Sequence, residues 1–269
     1  MIRYLLESSY FSRIISSIVV AIVTLLCQRM YVEMKRYRIK KILSLKDCKS
    51  GILLPTRNRG IVLSGLDPVN IDVVIYKEVL ILFEIIKTIN KVGIDSEIEM
   101  YKYVDSFDHN KNIFYFGGYL VHDYVKNILV DKFSMVKFTC SKKSYEAQTD
   151  DRVKKLLQVS ECDSRWHILI NDVAVLEYDA SEDSKEGYVV LIKRTGLADF
   201  GSDDYGTEHI CFGNTPNANI SIARSFVHHT NGLYKHLKKH KSHYFIIAKF
   251  ENGKINYNSI IDLTDIVFK

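Results

Sequence analysis

An uncharged run of fourteen residues, Ile14 to Cys27, constrains this chain more than any other feature. Its sequence, IISSIVVAIVTLLC, is apolar around the whole helix circumference and is bounded by arginines. Such a helix rises only about 22 Å, less than the roughly 30 Å hydrocarbon core of a bilayer. Interfacial aromatic or apolar residues and snorkelling arginines lengthen the apolar surface on both sides: Tyr10, Phe11, Arg13, Arg29, Met30 and Tyr31. The run therefore predicts a single membrane-spanning helix over about residues 11–31.

Two alternatives to a membrane anchor stay open. A short apolar run is also typical of a signal peptide, but no A-x-A-like cleavage site follows it. The segment Thr24 to Cys27 also lacks the small residue expected before a lipoprotein cysteine. A helix buried in a globular core would fit poorly with the dense basic run that comes next. The anchor is the favoured interpretation.

The positive charge of the chain is concentrated beside this helix. The formal net charge is +5, and the segment Arg29 to Lys49 alone holds eight basic residues against Glu33 and Asp47. By the positive-inside bias, the part of the chain after the helix should face the cytoplasm, as in a single-pass cell-membrane protein. A nucleic-acid-binding domain would spread its positive charge over a folded surface. We therefore expect the membrane as a partner through residues 11–31, and no nucleic acid.

The remainder of the chain predicts an α/β domain. We assign residues 1–50 to the anchor and a basic juxtamembrane segment, and residues 51–269 to one soluble domain. Periodicity and glycine stops predict alternating strands and helices at Ile61 to Asp67, Val73 to Val92, Ile98 to Val104, Asn112 to Gly118 and Tyr119 to Val130. This order is typical of a βαβ opening.

The second half of the domain is richer in strands. An antiparallel extension, a buried strand, a helix and a final hairpin are expected at Phe133 to Thr139, Trp166 to Asp179 with a turn at Asn171-Asp172, Gly187 to Arg194, His209 to Asn214, Pro216 to Lys239, and around Glu251-Asn252-Gly253. The predicted fold is a Rossmann-like mixed sheet domain with an antiparallel β-rich extension, behind one N-terminal transmembrane helix.

Three glycine turns follow predicted buried strands and are the candidate ligand site. In open α/β sheets, ligands bind beyond the carboxyl ends of strands, where glycine allows close backbone approach and helix N-termini attract anions. The candidate ligand-binding residues are Ser64, Gly65, Asp67, Gly117, Gly118, Asp123, Glu208, Gly213, Asn214 and Thr215. Neither G-x-G-x-x-G nor G-x-x-x-x-G-K-[ST] occurs, so the common dinucleotide and P-loop motifs are not the basis of this site.

A family resemblance rests on four segments in order: IVLSG, FYFGGYLVHDYVKNIL, DYGTEHICFGNTPNANISIARSF and the closing IIDLTDIVF. Together they resemble SLOG-type Rossmannoid domains, sensors and effectors that occur beside membrane helices in bacterial conflict and signalling systems. The resemblance runs from about Gly60 onward and implies recognition of a nucleotide-derived small molecule in a pocket of glycine turns. The chain departs from it at His122-Asp123 and at Thr207-Glu208, which precedes the last core strand, so ligand and activity do not carry over.

The remaining chemistry leaves three functions open. Five scattered cysteines and a lysine-rich histidine segment give no metal-ligand spacing, so no metal site is expected. The leading hypothesis is a membrane-anchored sensor or effector that binds a nucleotide-like or phosphate-bearing ligand, with homo-oligomerisation left open. One alternative is a nucleotide or NAD hydrolase that uses Asp67, Asp123 or Glu208, and the other is a membrane-tethered interaction scaffold. No motif names a catalytic residue.

Overall fold

A long N-terminal helix, α1 (Ser9–Leu43), projects from a sheet domain in the computed structural model of the chain. Its apolar side chains from Ile14 to Leu26 are exposed, and the helix continues unbroken through the basic residues to Leu43. By length and composition it is long and apolar enough to cross a membrane. At 1.5 Å per residue, the predicted span of residues 11–31 measures about 31 Å, close to the thickness of a hydrocarbon core.

The structure describes most of the chain, and the elements below refer to those residues alone. The described residues are 9–43, 50–53, 57–64, 67–73, 76–91, 96–98, 112–117, 123–162, 164–181, 185–195, 207–228, 230–240 and 242–268.

The strands are β1 (Ser50–Leu53), β2 (Arg57–Ser64), β3 (Asp67–Val73), β4 (Ser96–Ile98), β5 (Asn112–Phe116), β6 (Val136–Cys140), β7 (Leu157–Val159), β8 (Arg165–Ile170), β9 (Val173–Asp179), β10 (Glu186–Thr195), β11 (Thr207–Gly213), β12 (Tyr244–Glu251), β13 (Lys254–Ile255) and β14 (Ile261–Asp262). The helices after α1 are α2 (Tyr76–Lys91), α3 (Asp123–Lys132), α4 (Lys142–Glu146), α5 (Asp151–Lys155), α6 (Pro216–Val227), α7 (Thr230–Leu237) and α8 (Thr264–Val267), with a short 3-10 helix at Tyr257–Ser259.

An eight-stranded sheet forms the centre of the domain, in the order β13-β12-β10-β11-β5-β1-β4, with β14 also paired to β12. The strands β11, β5, β1 and β4 are mutually parallel. On the other side of β11, the strands β10, β12 and β13 are antiparallel neighbours. A mixed α/β sheet domain behind one long apolar helix is thus confirmed.

Each face of this sheet has its own apolar core, because the buried strands carry apolar side chains on both sides. On one face lie α2, α6, α7 and the last turn of α1, which contributes Ile39, Ile42 and Leu43. On the other face lie α3 and a second sheet of order β7-β6-β8-β9. The last turn of α1 is therefore part of the core of the domain.

Two predicted hairpins are confirmed by their turn geometry. Asn171 and Asp172 between β8 and β9 have φ of 50° and 64°, and Asn252 and Gly253 between β12 and β13 have φ of 49° and 81°. Positive φ at both central residues is the geometry of a type I′ turn, whose twist matches that of the flanking strands.

The region between β1 and α2 differs from the expected strand-turn-helix. Residues 57–73 form an antiparallel pair, β2 and β3, in a sheet of its own, and α2 begins only at Tyr76. Two residues, Gly65 and Leu66, connect the two strands, and a two-residue loop that begins with glycine is a hairpin signal. The helix expected from Pro216 to Lys239 is divided into α6 and α7.

Candidate functional site

The carboxyl ends of β5 and β11 form a topological switch point of the sheet. These strands are parallel neighbours, but the helices that follow them pack on opposite faces. The helix α3 after β5 buries Val125 and Leu129 in one core, whereas α6 after β11 buries Ala223 and Phe226 in the other. Open α/β sheets bind ligands outside strand ends whose connections diverge in this way, so this edge, called the crevice below, is the candidate site.

Two of the three predicted glycine turns meet at this crevice. Phe116 at the end of β5 lies opposite Cys211, and the Gly117 N–H donates a hydrogen bond to the Cys211 carbonyl at 3.4 Å. Gly117 has a φ of 134°, a backbone conformation that side chains with a Cβ rarely adopt. Gly213, two residues beyond Cys211, ends the neighbouring strand. The structure thus brings Gly117 and Gly213 to one edge.

The turn after β11 is built to hold α6 close against the sheet. The Gly213 N–H donates to Asn219 Oδ1 at 2.6 Å, and a Cβ on Gly213 would lie 2.5 Å from the Ala218 Cβ. Thr215 is the N-cap of α6, and its hydroxyl accepts the Ala218 N–H at 3.1 Å. Gly213 therefore permits close packing, and Thr215 satisfies one of the free amides at the helix start.

Asn214 ties the same turn to the adjacent strand β10. Its Oδ1 accepts the Tyr188 N–H at 3.0 Å, and its own N–H donates to the Tyr188 carbonyl at 3.4 Å. A Cβ on Gly187 would collide with the Asn214 side chain. Sequence reasoning did not identify Gly187, Tyr188 or Asn219. Of these, Asn219 carried a signal, because it is an amide among apolar residues in the helical segment NANISIA.

A polar cleft continues along this edge, where β10 begins and β12 ends. The cavity of about 680 Å³ is lined by Ser164, Arg165, Glu177, Tyr178, Asp179, Ser181, Glu186 and Lys249. Its cations are paired, Arg165 with Glu177 at 2.9 Å and Lys249 with Glu186 at 2.9 Å. The Asp179 N–H and the Lys249 ammonium donate to Glu186 and lower the pKa of its carboxyl group. With three carboxylates against two cations, this cleft is less suited to a phosphate than the neighbouring crevice.

Five other predicted site residues lie on β2, β3 and α3 or outside the described chain. Ser64 and Asp67 face each other across the β2–β3 hairpin, and Asp123 is the first residue of α3. Gly65 and Gly118 lie outside the described residues.

Glu208 is not brought to the crevice. It lies near the start of β11, only 5% exposed, and its Oε2 is 3.5 Å from Arg194 Nη1. Five residues of strand separate Glu208 from Gly213, or about 17 Å.

Two buried ionisable side chains, His209 and Lys193, lie at that opposite edge of the sheet, where α1 ends. His209 Nε2 lies 2.8 Å from the Leu43 carbonyl oxygen, to which it donates, and the imidazole stacks on Phe114 at 4.7 Å between ring centroids. Lys193 is fully buried, with its Nζ 5.1 Å from the centre of the Tyr244 ring. Burial lowers the pKa of Lys193 to about 8. Burial, with the nearby Lys193 charge, lowers the pKa of His209 to about 3.

The histidine-rich segment after α7 makes ion pairs with one carboxylate. His240 Nε2 and Lys239 Nζ lie 2.6 Å and 2.7 Å from Asp262 Oδ2. Within the part of the chain that the structure describes, no three His, Cys, Asp or Glu side chains come together as metal ligands.

Comparison with protein-family models, curated protein sequences and solved structures finds no match to this chain. The resemblance to SLOG-type domains accordingly stays a prediction from the sequence.

Proposed function

We propose that this protein is a single-pass membrane protein whose Rossmann-like domain faces the cytoplasm and binds a nucleotide-like or phosphate-bearing small molecule. The ligand would lie in the crevice between the ends of β5 and β11, against Gly117, Gly213 and the N-terminus of α6. The support for this position is the switch-point topology. A twelve-residue helix that begins at the crevice favours an anionic group there.

We also propose that ligand binding affects the membrane helix. This proposal rests on one observation: strand β11 contacts the end of α1 at one end and the crevice at the other. Its amino end holds His209, which donates to the last carbonyl of α1, and its carboxyl end holds Gly213 at the crevice. The two residues are four apart, or about 13 Å along the strand. A ligand that shifts the end of β11 would thus act on the element that holds the anchor.

The position of Glu208 does not favour the hydrolase alternative. Glu208 lies at the opposite end of β11 from the crevice and beside Arg194. We therefore propose a binding role, as a sensor or effector. The scaffold alternative predicts no effect of small ligands, which the following experiment measures.

The test of ligand binding uses the full chain in detergent micelles with a panel of nucleotides and dinucleotides. Asn217 is exposed in the first turn of α6. The change Asn217→Asp adds a negative charge that is compatible with the N-terminus of the helix but repels a bound phosphate. Asn258→Asp, at another exposed asparagine, makes the same chemical change outside α6. At a hundredfold excess over Kd, a ligand stabilises the folded state by about 2.7 kcal/mol. We expect that stabilisation in the wild type and in Asn258→Asp, and its loss in Asn217→Asp.

The cytoplasmic orientation is tested by labelling Cys162 with a membrane-impermeant maleimide. Cys162 is exposed, whereas Cys140 and Cys211 are buried in the domain. A hydrogen bond with the Ser164 hydroxyl lowers the pKa of the Cys162 thiol and favours the reactive thiolate. In a chain with Cys27 and Cys48 replaced by serine, we expect labelling that Cys162→Ser removes, seen only after the cells are lysed. Labelling of intact cells would contradict the orientation.

A further inference from the structure

A small groove lies between α1 and the start of α7. Its volume is about 200 Å³, and its lining includes Tyr31, Lys35 and Arg38 from α1, His228 at the end of α6, and Asn231 from α7. Among the described residues, the lining contains two cations and no carboxylate. His228 Nε2 lies 3.7 Å from Oε2 of Glu84, a residue that does not line the groove.

The groove lies where a membrane surface would meet the protein. Tyr31, Lys35 and Arg38 are spaced by four and three residues, so they share one face of the helix. If the span ends at Tyr31, then Lys35 and Arg38 lie about 6 Å and 10 Å further along the axis. Lys35 thus lies within the headgroup layer, which adds about 5–8 Å on each side of the hydrocarbon core. The Arg38 backbone lies just beyond that layer, within reach of its long side chain.

Arg38 is held in place in this groove by its contacts with α7. Arg38 Nη1 donates a hydrogen bond to Asn231 Oδ1, and the Arg38 guanidinium lies 5.6 Å from the centre of the Tyr234 ring. The guanidinium is thus fixed between α1 and α7. Because guanidinium presents several donors in a plane, it can hold Asn231 and still donate to a phosphate.

A second groove on the other side of α1 is less suitable for an anion. Its cavity of about 730 Å³ includes Arg36, Phe83, Glu84 and Lys87. Arg36 is already paired with Glu33 at 3.0 Å, and the Glu84 carboxylate belongs to the lining. Charge complementarity therefore favours the groove at Lys35 and Arg38.

We propose that the groove of Tyr31, Lys35, Arg38 and Asn231 binds the phosphate of an anionic phospholipid headgroup. This inference rests on the proposed membrane anchoring of α1. The Lys35 ammonium and the Arg38 guanidinium donate to the phosphate oxygens, and the Tyr31 ring lies at the boundary with the acyl chains. A lipid held there bridges α1 and α7, so the composition of the membrane sets how firmly the domain is fixed to its anchor.

The test reconstitutes the full chain in lipid nanodiscs of phosphatidylcholine alone, or with about a third phosphatidylglycerol as the anionic lipid. Amide hydrogen exchange of α7 is the readout, with exchange of the distant β8 and β9 as the internal reference. We expect α7 amides of the wild type to exchange about tenfold more slowly in the anionic discs.

Two pairs of variants separate the groove from general surface charge. Asn231→Asp leaves Arg38 a partner and the charge of α1 unchanged, but it places a carboxylate beside the phosphate. It should abolish the slower exchange, whereas Gln158→Glu, on an exposed strand of the second sheet, should keep it. Lys35→Gln should reduce the effect, and Lys40→Gln, which makes the same charge change outside the groove lining, should not.

Three outcomes distinguish this inference from the proposed function. A chain that enters the discs but exchanges equally in both lipid mixtures overturns lipid binding and leaves the anchor intact. An effect that persists in Asn231→Asp, or is lost equally in Lys40→Gln, also overturns the groove. A chain that does not enter the discs contradicts the proposed anchoring and this inference with it.

Discussion

Gly213 sets how closely α6 approaches the sheet at the crevice. A Cβ there would lie 2.5 Å from the Ala218 Cβ and 2.7 Å from the Tyr188 carbonyl oxygen, which is backbone and cannot rotate away. We expect Gly213→Ala to lower the free energy of unfolding by about 1–3 kcal/mol, as overpacking in a core does. The measurement is denaturant unfolding of the purified protein.

The matched control for Gly213→Ala is Gly253→Asn in the last hairpin. No atom lies within 4 Å of a Cβ on Gly253, and its φ of +81° is one that asparagine tolerates better than most residues. This change should cost less than about 1 kcal/mol. Equal destabilisation by both changes would show that packing at the crevice is not the cause.

His209 should make the fold sensitive to mild acid. Burial, with the Lys193 charge, lowers the pKa of His209 to about 3, whereas an unfolded histidine has a pKa of about 6.5. Between these pH values the unfolded chain binds a proton that the folded chain does not. The contribution of neutral His209 to stability is therefore complete above pH 6.5, and falls by about 1.4 kcal/mol per pH unit as the pH decreases.

The test compares the wild type with His209→Gln. The free energy of unfolding of both proteins is measured with denaturant between pH 6.5 and pH 4.5. The variant should be less stable at pH 7, but its stability should fall less steeply with acid. The chosen pH range lies above the range in which Asp262 titrates. Burial raises the pKa of the Asp262 carboxyl group, but hydrogen bonds from Lys239, Thr264 and His240 have the larger combined effect, so its pKa is lowered overall. Stability from Asp262 is lost only below the unfolded pKa of about 4. Parallel slopes for both proteins would refute the role of His209.

At the scale of elements, the last turn of α1 belongs energetically to the sheet domain. Ile39, Ile42 and Leu43 are each about 1% exposed in the core beneath α7. Burying such side chains stabilises a fold by about 1.5–3 kcal/mol each. A fragment that begins at Gly51 should therefore be about 4–9 kcal/mol less stable than one that begins at Arg36. Denaturant unfolding of the two fragments tests this, and equal midpoints would contradict it.

Elements with a strong local signal were predictable from the sequence. The uncharged run and its flanks predicted the apolar helix found in α1, and Asn171-Asp172 predicted a hairpin turn. The apolar strands β5 and β11, each followed by glycine, also lie where the pattern indicated. In these segments local propensity and tertiary packing favour the same structure.

Pairing between distant strands was not predictable in the same way. The segment around Ile61 is as apolar as a buried strand, yet it pairs with the next strand in a separate two-stranded sheet. Glu208 lies close to Gly213 in the sequence, but a strand extends about 3.3 Å per residue and carries the two to opposite edges. The contact of His209 with Leu43 spans most of the chain, and no local pattern encodes it.

At the scale of the whole molecule, the two ends of α1 lie in different environments. Its first part exposes apolar side chains continuously, and its last turn is buried in the domain. Water would disfavour such an exposed apolar helix, whereas a bilayer would cover it. The domain would then hang directly from the membrane, with the crevice at the sheet edge opposite to that of the α1 contact.

The membrane location of α1 is tested by one arginine at each of two exposed positions. Val20 is 64% exposed and lies in the middle of the predicted span, whereas Tyr37 is 60% exposed and lies beyond it. Arginine at the centre of a spanning helix costs about 2.5–3.5 kcal/mol, so Val20→Arg should weaken membrane partitioning about a hundredfold. Tyr37→Arg adds the same charge about 9 Å beyond the span, outside the hydrocarbon core, and should leave the protein in the membrane.

The measurement is the fraction of full-length protein that stays in the membrane pellet after alkaline carbonate extraction. Both positions are exposed, so neither change should alter the unfolding of the domain in detergent. That separates a failure to insert from a failure to fold. If α1 were simply a solvent-exposed helix, the two variants would partition alike, and the membrane anchor would have to be abandoned.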